Sequence, residues 1–133
     1  LDVGKKTIGL SLADPQTRVA SPKPVLWRKK FTTDSKLLIE QIHELNIGGL
    51  VLGWPLNMDG TAGPRCDSIR DFAHAFLRLH EIPISFQDER LSTKAVERGM
   101  IAADMTRAKR AIRRDSLAAV WILQSALDTY DHQ

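Results

Sequence analysis

Apolar positions along this chain follow two periods. "LDVG" (Leu1–Gly4) and "TIGLSLAD" (Thr7–Asp14) read as short strands separated by Gly4, Lys5 and Lys6. "KPVLWRKK" makes a third strand, with Pro22 and Pro24 confined to its entry. From Asp34 to Leu45 the period lengthens, and Leu38, Ile42 and Leu45 stripe a helix that Asn46 to Gly49 ends. "GGLVLGWP" (Gly48–Pro55) is an unbroken apolar run between glycines, the signature of a strand buried on both faces. Pro64 suits the first position of the next helix, whose one face gathers Ile69, Phe72, Ala73, Phe76 and Leu77. "IPISFQDER" (Ile82–Arg90) is a fifth strand ending in charge. "LSTKAVERGM" (Leu91–Met100) opens a helix capped by Ser92 or Thr93. "DSLAAVWILQSALDTY" (Asp115–Tyr130) closes the chain as a helix apolar nearly all round, expected to be largely buried.

The order βββ-α-β-α-β-α predicts an α/β fold with one five-stranded mixed sheet. An antiparallel meander continues into parallel strands reached by helical crossovers, with helices on both faces. No repeat, low-complexity tract or linker divides the 133 residues, so a single domain over 1–133 is expected. The chain opens at Leu1, inside a strand and without Met, so further residues are expected to precede it.

Composition narrows the class. The apolar fraction of 43% and charged fraction of 26% are those of a soluble globular protein. No apolar run approaches the roughly 18 residues of a membrane span and no signal peptide opens the chain, so the expectation is a cytoplasmic protein without a membrane partner. One cysteine, Cys66, supports neither an internal disulfide nor a zinc cluster, and a buried structural thiol is its default role. Oligomeric state is not legible.

Charge changes the picture more. The net +3 conceals "RAKRAIRR", whose Arg107, Lys109, Arg110, Arg113 and Arg114 are five basic residues without an acid, leaving −2 on the remainder. A basic tract beside an active edge meets a polyanion through counterion release, so a mobile arm gripping nucleic acid is expected here, with binding that falls steeply with salt. Lys5, Lys6 and Arg90 add local positive charge.

Acids recur where this topology makes a ligand-binding edge, at the carboxyl ends of the parallel strands. Asp2 lies in the first strand, Asp59 in the loop after the fourth, Asp88 and Glu89 at the end of the fifth, and Asp115 at the predicted start of the last helix. Each has an ordinary structural use: Asp59 as a turn residue, Asp88 and Glu89 beside Arg90 at a salt-bridged strand exit, Asp115 as a helix cap worth about 1 kcal/mol. Their joint placement is what points to chemistry. Clustered carboxylates repel and call for a cation, and Mg²⁺ or Mn²⁺ takes oxygen ligands. A metal so held activates water and stabilises a phosphodiester transition state. The loop "GWPLNMDGTAGP" (Gly53–Pro64) brings Asn57, Asp59 and the N–H groups around Gly60 and Gly63 to the mouth of the sheet, before a helix N-terminus, where amides suit a phosphate. Trp54 is expected in the core.

"DVGKKTIGLSLAD", "GWPLNMDGTAGP", "DERLST" and "DSLAAVWILQ" resemble, in order and spacing, the signature blocks of the YqgF (RuvX) family. The resemblance spans essentially the whole chain and implies the RNase H-like fold. Members are assigned to processing of pre-16S rRNA and, earlier, to Holliday junction resolution. Asp2, Gly4, Lys6, Ile8 and Gly9 match the family's opening Asp-x-Gly-x-Lys-Arg-Ile-Gly, with Thr7 in place of the Arg. The resemblance implies Asp2, Glu89 and Asp115 as catalytic, metal-binding acids, with Asp59 and Asp88 as substitutes. It implies a metal-dependent endonuclease acting on structured RNA with water as nucleophile, in the setting of pre-ribosomal particles. Lys5, Lys6, Asn57, Gly60, Arg90, Arg107, Lys109, Arg110, Arg113 and Arg114 would contact the nucleic acid. Two other readings stay open: a junction-resolving endonuclease acting on branched DNA, and a nucleic-acid-binding module that does not cleave. The last is favoured by "GWP", which lacks the acid that related resolvases carry at the end of the fourth strand. Strands lie about 4.8 Å apart, so Glu89 starts roughly 10 Å from Asp2 if the fourth strand intervenes. Oxygens sharing one Mg²⁺ must approach to within roughly 4 Å. The length of Glu89 spans part of that gap, and Asp59 from the loop or a loosely held metal completed by substrate are the other ways to close it.

Overall fold

The structure, a computed structural model, describes residues 1–14, 16–89 and 107–131, with the side chains of these except 107–116, 130 and 131. Strands β1 (Asp2–Val3), β2 (Thr7–Ala13) and β3 (Ala20–Trp27) come first. They are followed by α1 (Phe31–Glu44), β4 (Leu50–Trp54), α2 (Pro64–Leu79), β5 (Ile84–Asp88) and α3 (Arg107–Asp131). The helix expected from Leu91, with its cap at Ser92 or Thr93, lies outside the described residues.

α1 starts at Phe31, earlier than its hydrophobic stripe suggests, because Asp34 works from inside the first turn. Its buried carboxylate accepts the Lys29 N–H at 3.0 and 3.2 Å and lies 3.9 Å from Arg28 Nε. Arg28 in turn donates to the Gly4 carbonyl at 2.7 Å, so this acid fixes the β3–α1 junction and, through Arg28, the turn after β1. Asp34→Ala is expected to lower stability by about 3 kcal/mol, read as a lower denaturant midpoint at unchanged slope.

β1, β2 and β3 form an antiparallel sheet, with Asp2 opposite Gly9 and Ala13 opposite Ala20. β4 and β5 form a parallel pair from Leu50 opposite Ile84 to Trp54 opposite Asp88. Where the sequence predicted a single five-stranded sheet, the ladders among the described residues group as three strands and two. Leu1 spans the division: its nitrogen donates to the Val51 carbonyl, and its own carbonyl accepts the Gly53 N–H at 2.9 Å. Beyond Leu1, a cavity of about 640 Å³ walled in part by Leu10, Leu12, Leu50 and Val51 separates β2 from β4.

The sheets are covered on both faces. Val3, Ile8, Leu26 and Leu52 meet Leu38 and Ile42 of α1 and Ile69, Phe72 and Phe76 of α2 in one cluster. Each such side chain contributes about 1.5–3 kcal/mol by burial. Strand alternation turns Gly53, next to Leu52, to the opposite face, under Ile122 of α3. There Ala118, Ala119 and Ile122 are buried, and Ser11 Oγ donates to the Ala119 carbonyl at 2.8 Å.

α3 departs from expectation twice. It begins at Arg107 rather than Asp115, so the basic tract is helical and not a mobile arm, and Asp115 lies inside the helix instead of capping it. Arg, Lys and Ala are strong helix formers, and the tract has no Gly or Pro to stop propagation. Nor is the helix buried all round: Trp121 is 47% exposed, because only one side of α3 meets the sheet. Cys66 is buried, as expected. No helix among the described residues is long and apolar enough to cross a membrane.

Candidate active site

Asp2 sits in β1 and Glu89 directly follows β5, with β4 between them. The Glu89 N–H donates to the Trp54 carbonyl at 3.2 Å, which extends the β4–β5 ladder by one residue and holds Glu89 in register. Strand alternation then sends its side chain to the face of Gly53. A Cβ on Gly53 would overlap Glu89 Oε2 and stand 2.7 Å from Ile122 Cδ1. Glu89 thus lies across the bare backbone of β4, beneath α3, and its carboxyl shares a hydrogen bond with Asp2. The separation of two strands is closed by the length of one side chain and the absence of another.

This geometry is electrostatically loaded. Burial raises the Glu89 pKa from 4.5 to about 7, with further upward contributions from the Asp2 charge and the shared hydrogen bond, against which Arg65 acts. Two carboxylates held together need a proton or a cation between them. Their oxygen donors fit a hard divalent ion, so the pair is suited to part of a metal shell. No group of three His, Cys, Asp or Glu that could hold an ion occurs among the described residues. The predicted third acid, Asp115, stands at helical spacing from Ala118, Ala119 and Ile122, the stripe of α3 that faces the sheet; its own side chain lies outside the described ones.

The other predicted residues do not join the pair. Asp88 is exposed, and alternation turns it away from Glu89. Asp59 is an exposed turn residue whose Oδ1 accepts from the Thr61 N–H at 2.9 Å and the Thr61 hydroxyl at 2.6 Å. Asn57 Nδ2 donates to Thr61 Oγ1 at 3.0 Å, so the loop is tied to itself around Thr61. The Gly60 N–H, expected to face a phosphate, instead donates to the Asn57 carbonyl at 2.8 Å; a positive φ of 90° at Gly60 closes that turn. Trp54 is half-buried against the core, with Phe86 at 4.9 Å on one side and the Arg70 guanidinium 5.6 Å from its ring centre. Lys5 and Lys6 are exposed in the turn after β1, which the Gly4 N–H closes on the Thr7 carbonyl at 2.8 Å. Arg90, and the side chains of Arg107, Lys109, Arg110, Arg113 and Arg114, lie outside those described.

Residues 1–129 match the model of a protein family described as RuvX, Holliday junction resolvase. The chain belongs to the RuvX family. Relatives share about half of its residues along nearly its whole length. A protein of Paramagnetospirillum magneticum is 49% identical over 96% of this chain and 83% of its own. One from Brucella ovis is 50% identical over 96% and 79%, and one from Phenylobacterium zucineum 52% identical over 96% and 83%. All three carry the name "Putative pre-16S rRNA nuclease".

Two residues of this RuvX chain that matter to the site were missed in the sequence. Gly53 read as the flank of a strand; only the register reveals that it lies under Glu89. Arg65 read as part of an amphipathic helix, yet a cation in the first turn opposes the helix dipole, and that misplacement was the available signal.

Proposed function

We propose that this chain is a divalent-metal-dependent endonuclease that hydrolyses phosphodiester bonds of structured RNA in the maturation of pre-16S rRNA. The reading includes one RNase H-like domain over residues 1–133, a continuous five-stranded sheet, a cytoplasmic setting and pre-ribosomal particles as the place of action. The observation that carries it is Glu89 crossing Gly53 to meet Asp2, which supplies from β5 the acid that β4 lacks. Asp2 and Glu89, with Asp115 of α3, are the residues that would hold Mg²⁺ or Mn²⁺. When bound, the cation supplies a more acidic water and neutralises charge developing on the phosphate. Glu89, ionised above about pH 7, orients the attacking water, whose oxygen bonds to phosphorus as the bond to the leaving oxygen breaks. Arg65, Lys5 and Lys6 draw the phosphate to the edge, and the helical basic tract of α3 engages the strand further out.

The test is cleavage of a structured precursor rRNA fragment with Mg²⁺ or Mn²⁺ by the wild type and Asp2→Asn, with a four-way DNA junction in the same buffer. Loss of an outer-shell partner in a metal site costs roughly 10–100-fold. Asp2→Asn should exceed that. Cutting of the junction alone would favour the resolvase activity in the family's description. Binding without cutting of either substrate would leave a recognition module.

A further inference from the structure

A second cavity, of about 360 Å³, opens between the turn after β1, the β3–α1 junction and the first turns of α2. Small-molecule sites measure about 300–1,000 Å³. Its walls divide in character. Val3, Ile69 and Phe72 give a buried apolar floor, and Lys5, Arg28 and Arg65, from three different segments, give a basic rim. Asp71 also lines the cavity and Asp34 pairs with Arg28, which leaves three cations against two acids at the rim. An anion entering such a rim meets more positive than negative charge.

The rim is prepared for such an anion. Arg28 is held by the Gly4 carbonyl and Asp34, with its guanidinium 5.8 Å from the Phe72 ring centre, so little side-chain freedom remains to be lost on binding. The Gly63 cap of α2 makes no side-chain hydrogen bond to the helix start, and Arg65 stands beside that uncapped turn. Arg65 is also the cation that acts on Glu89, so the cavity and the carboxylate pair share a wall. Val3 points away from Asp2 by strand alternation, which places the cavity around the sheet edge from the carboxylates.

We propose that this cavity is a nucleotide subsite, holding one unpaired nucleoside monophosphate unit of the strand next to the bond that is cut. The phosphate meets Lys5, Arg28 and Arg65, while sugar and base lie on the apolar floor. This deepens the nuclease reading and rests on it. A base enters a cavity only when unstacked, so the site selects substrates with an unpaired nucleotide beside the cut over fully paired ones.

The experiment titrates the isotope-labelled full chain with uridine 5′-monophosphate, uridine and inorganic phosphate separately, without metal, and follows backbone amides by NMR. The expected result is a set of shifts at Lys5, Arg65, Ser68 and Ile69, with the monophosphate binding at least tenfold more tightly than either fragment. Ser68 is exposed on the lining, and Ser68→Trp fills the cavity and should abolish these shifts; Arg65→Gln should weaken them about tenfold. No shift at these amides, or shifts unchanged in Ser68→Trp, overturns the subsite. In parallel, the wild type should cut RNA with an unpaired flanking nucleotide at least tenfold faster than its paired counterpart, and Ser68→Trp should lose that preference. Cutting without preference and without monophosphate shifts refutes the subsite and leaves the nuclease standing. Monophosphate shifts in a protein that cuts nothing uphold the subsite and refute the nuclease.

Discussion

Gly53→Ala is expected to remove most divalent-cation affinity and to slow cleavage by 100-fold or more, although residue 53 bears no chemistry. The added methyl group occupies the place of Glu89 Oε2, so the carboxyl must leave Asp2. Gly53 is not among the residues with positive φ, so alanine meets no backbone penalty and the effect belongs to the methyl alone. The same methyl presses on Ile122 Cδ1 at 2.7 Å, an overpacking worth about 1–3 kcal/mol of stability. A second substitution separates the two. Ile122→Val in the Gly53→Ala background removes the clashing Cδ1 methyl but not the pressure on Glu89, so stability should recover while Mn²⁺ affinity, read by calorimetry, stays low. Recovery of both would mean that Gly53 serves only to pack α3, and its role as a positioning residue would be lost.

The second large effect is on pH. Glu89 is raised from 4.5 to about 7 in the folded state, so the fold binds its proton more tightly than the unfolded chain does. Its contribution to stability is fully present below pH 4.5 and is lost as pH rises through 7. A shift of this size corresponds to about 3 kcal/mol at most, and solvent access at the site reduces it. Between pH 5 and pH 8 the metal-free wild type should therefore lose more denaturant resistance than Glu89→Gln does. A divalent cation competes with that proton, so Mn²⁺ affinity should climb through pH 7 and the cation should restore the stability lost on the alkaline side. Glu89→Gln removes the charge that burial opposes and should flatten this part of the stability profile while weakening Mn²⁺ binding. A profile in Glu89→Gln as steep as in the wild type would place the titrating group elsewhere.

The sequence carried the element order well because the signals were strong and local: alternation in β2, glycines around β4, Pro64 at the start of α2. It misjudged features that depend on what lies opposite. The start of α3 was set at Asp115 because an acid before an apolar run looks like a cap, whereas the propensity of the basic tract carries the helix back to Arg107. The closing helix read as buried because it is apolar nearly all round, yet Trp121 on it is 47% exposed among the described residues. The residue types of the carboxylate pair were legible, but their meeting was not. Strand spacing argued against contact, and the decisive fact was an absent Cβ at a position whose facing residue no one-dimensional pattern reveals. The loop "GWPLNMDGTAGP" misled in the opposite direction: donors that looked available for a phosphate are largely consumed by the loop's own turn around Thr61.

The Gly53 N–H donates to the Leu1 carbonyl at 2.9 Å, so β1 and β4 are joined next to the carboxylate pair. Asp2 follows Leu1 in β1 and Glu89 is held in register with β4, so any parting of β1 from β4 along this seam dismantles the pair. The Gly53 amide donates across the same seam, and its hydrogen-exchange rate therefore measures how long the site stays assembled. A divalent cation held by Asp2 and Glu89 would bind only the assembled pair and lengthen that time, and so would fasten β1 to the β4–β5 pair as well as supply its chemistry.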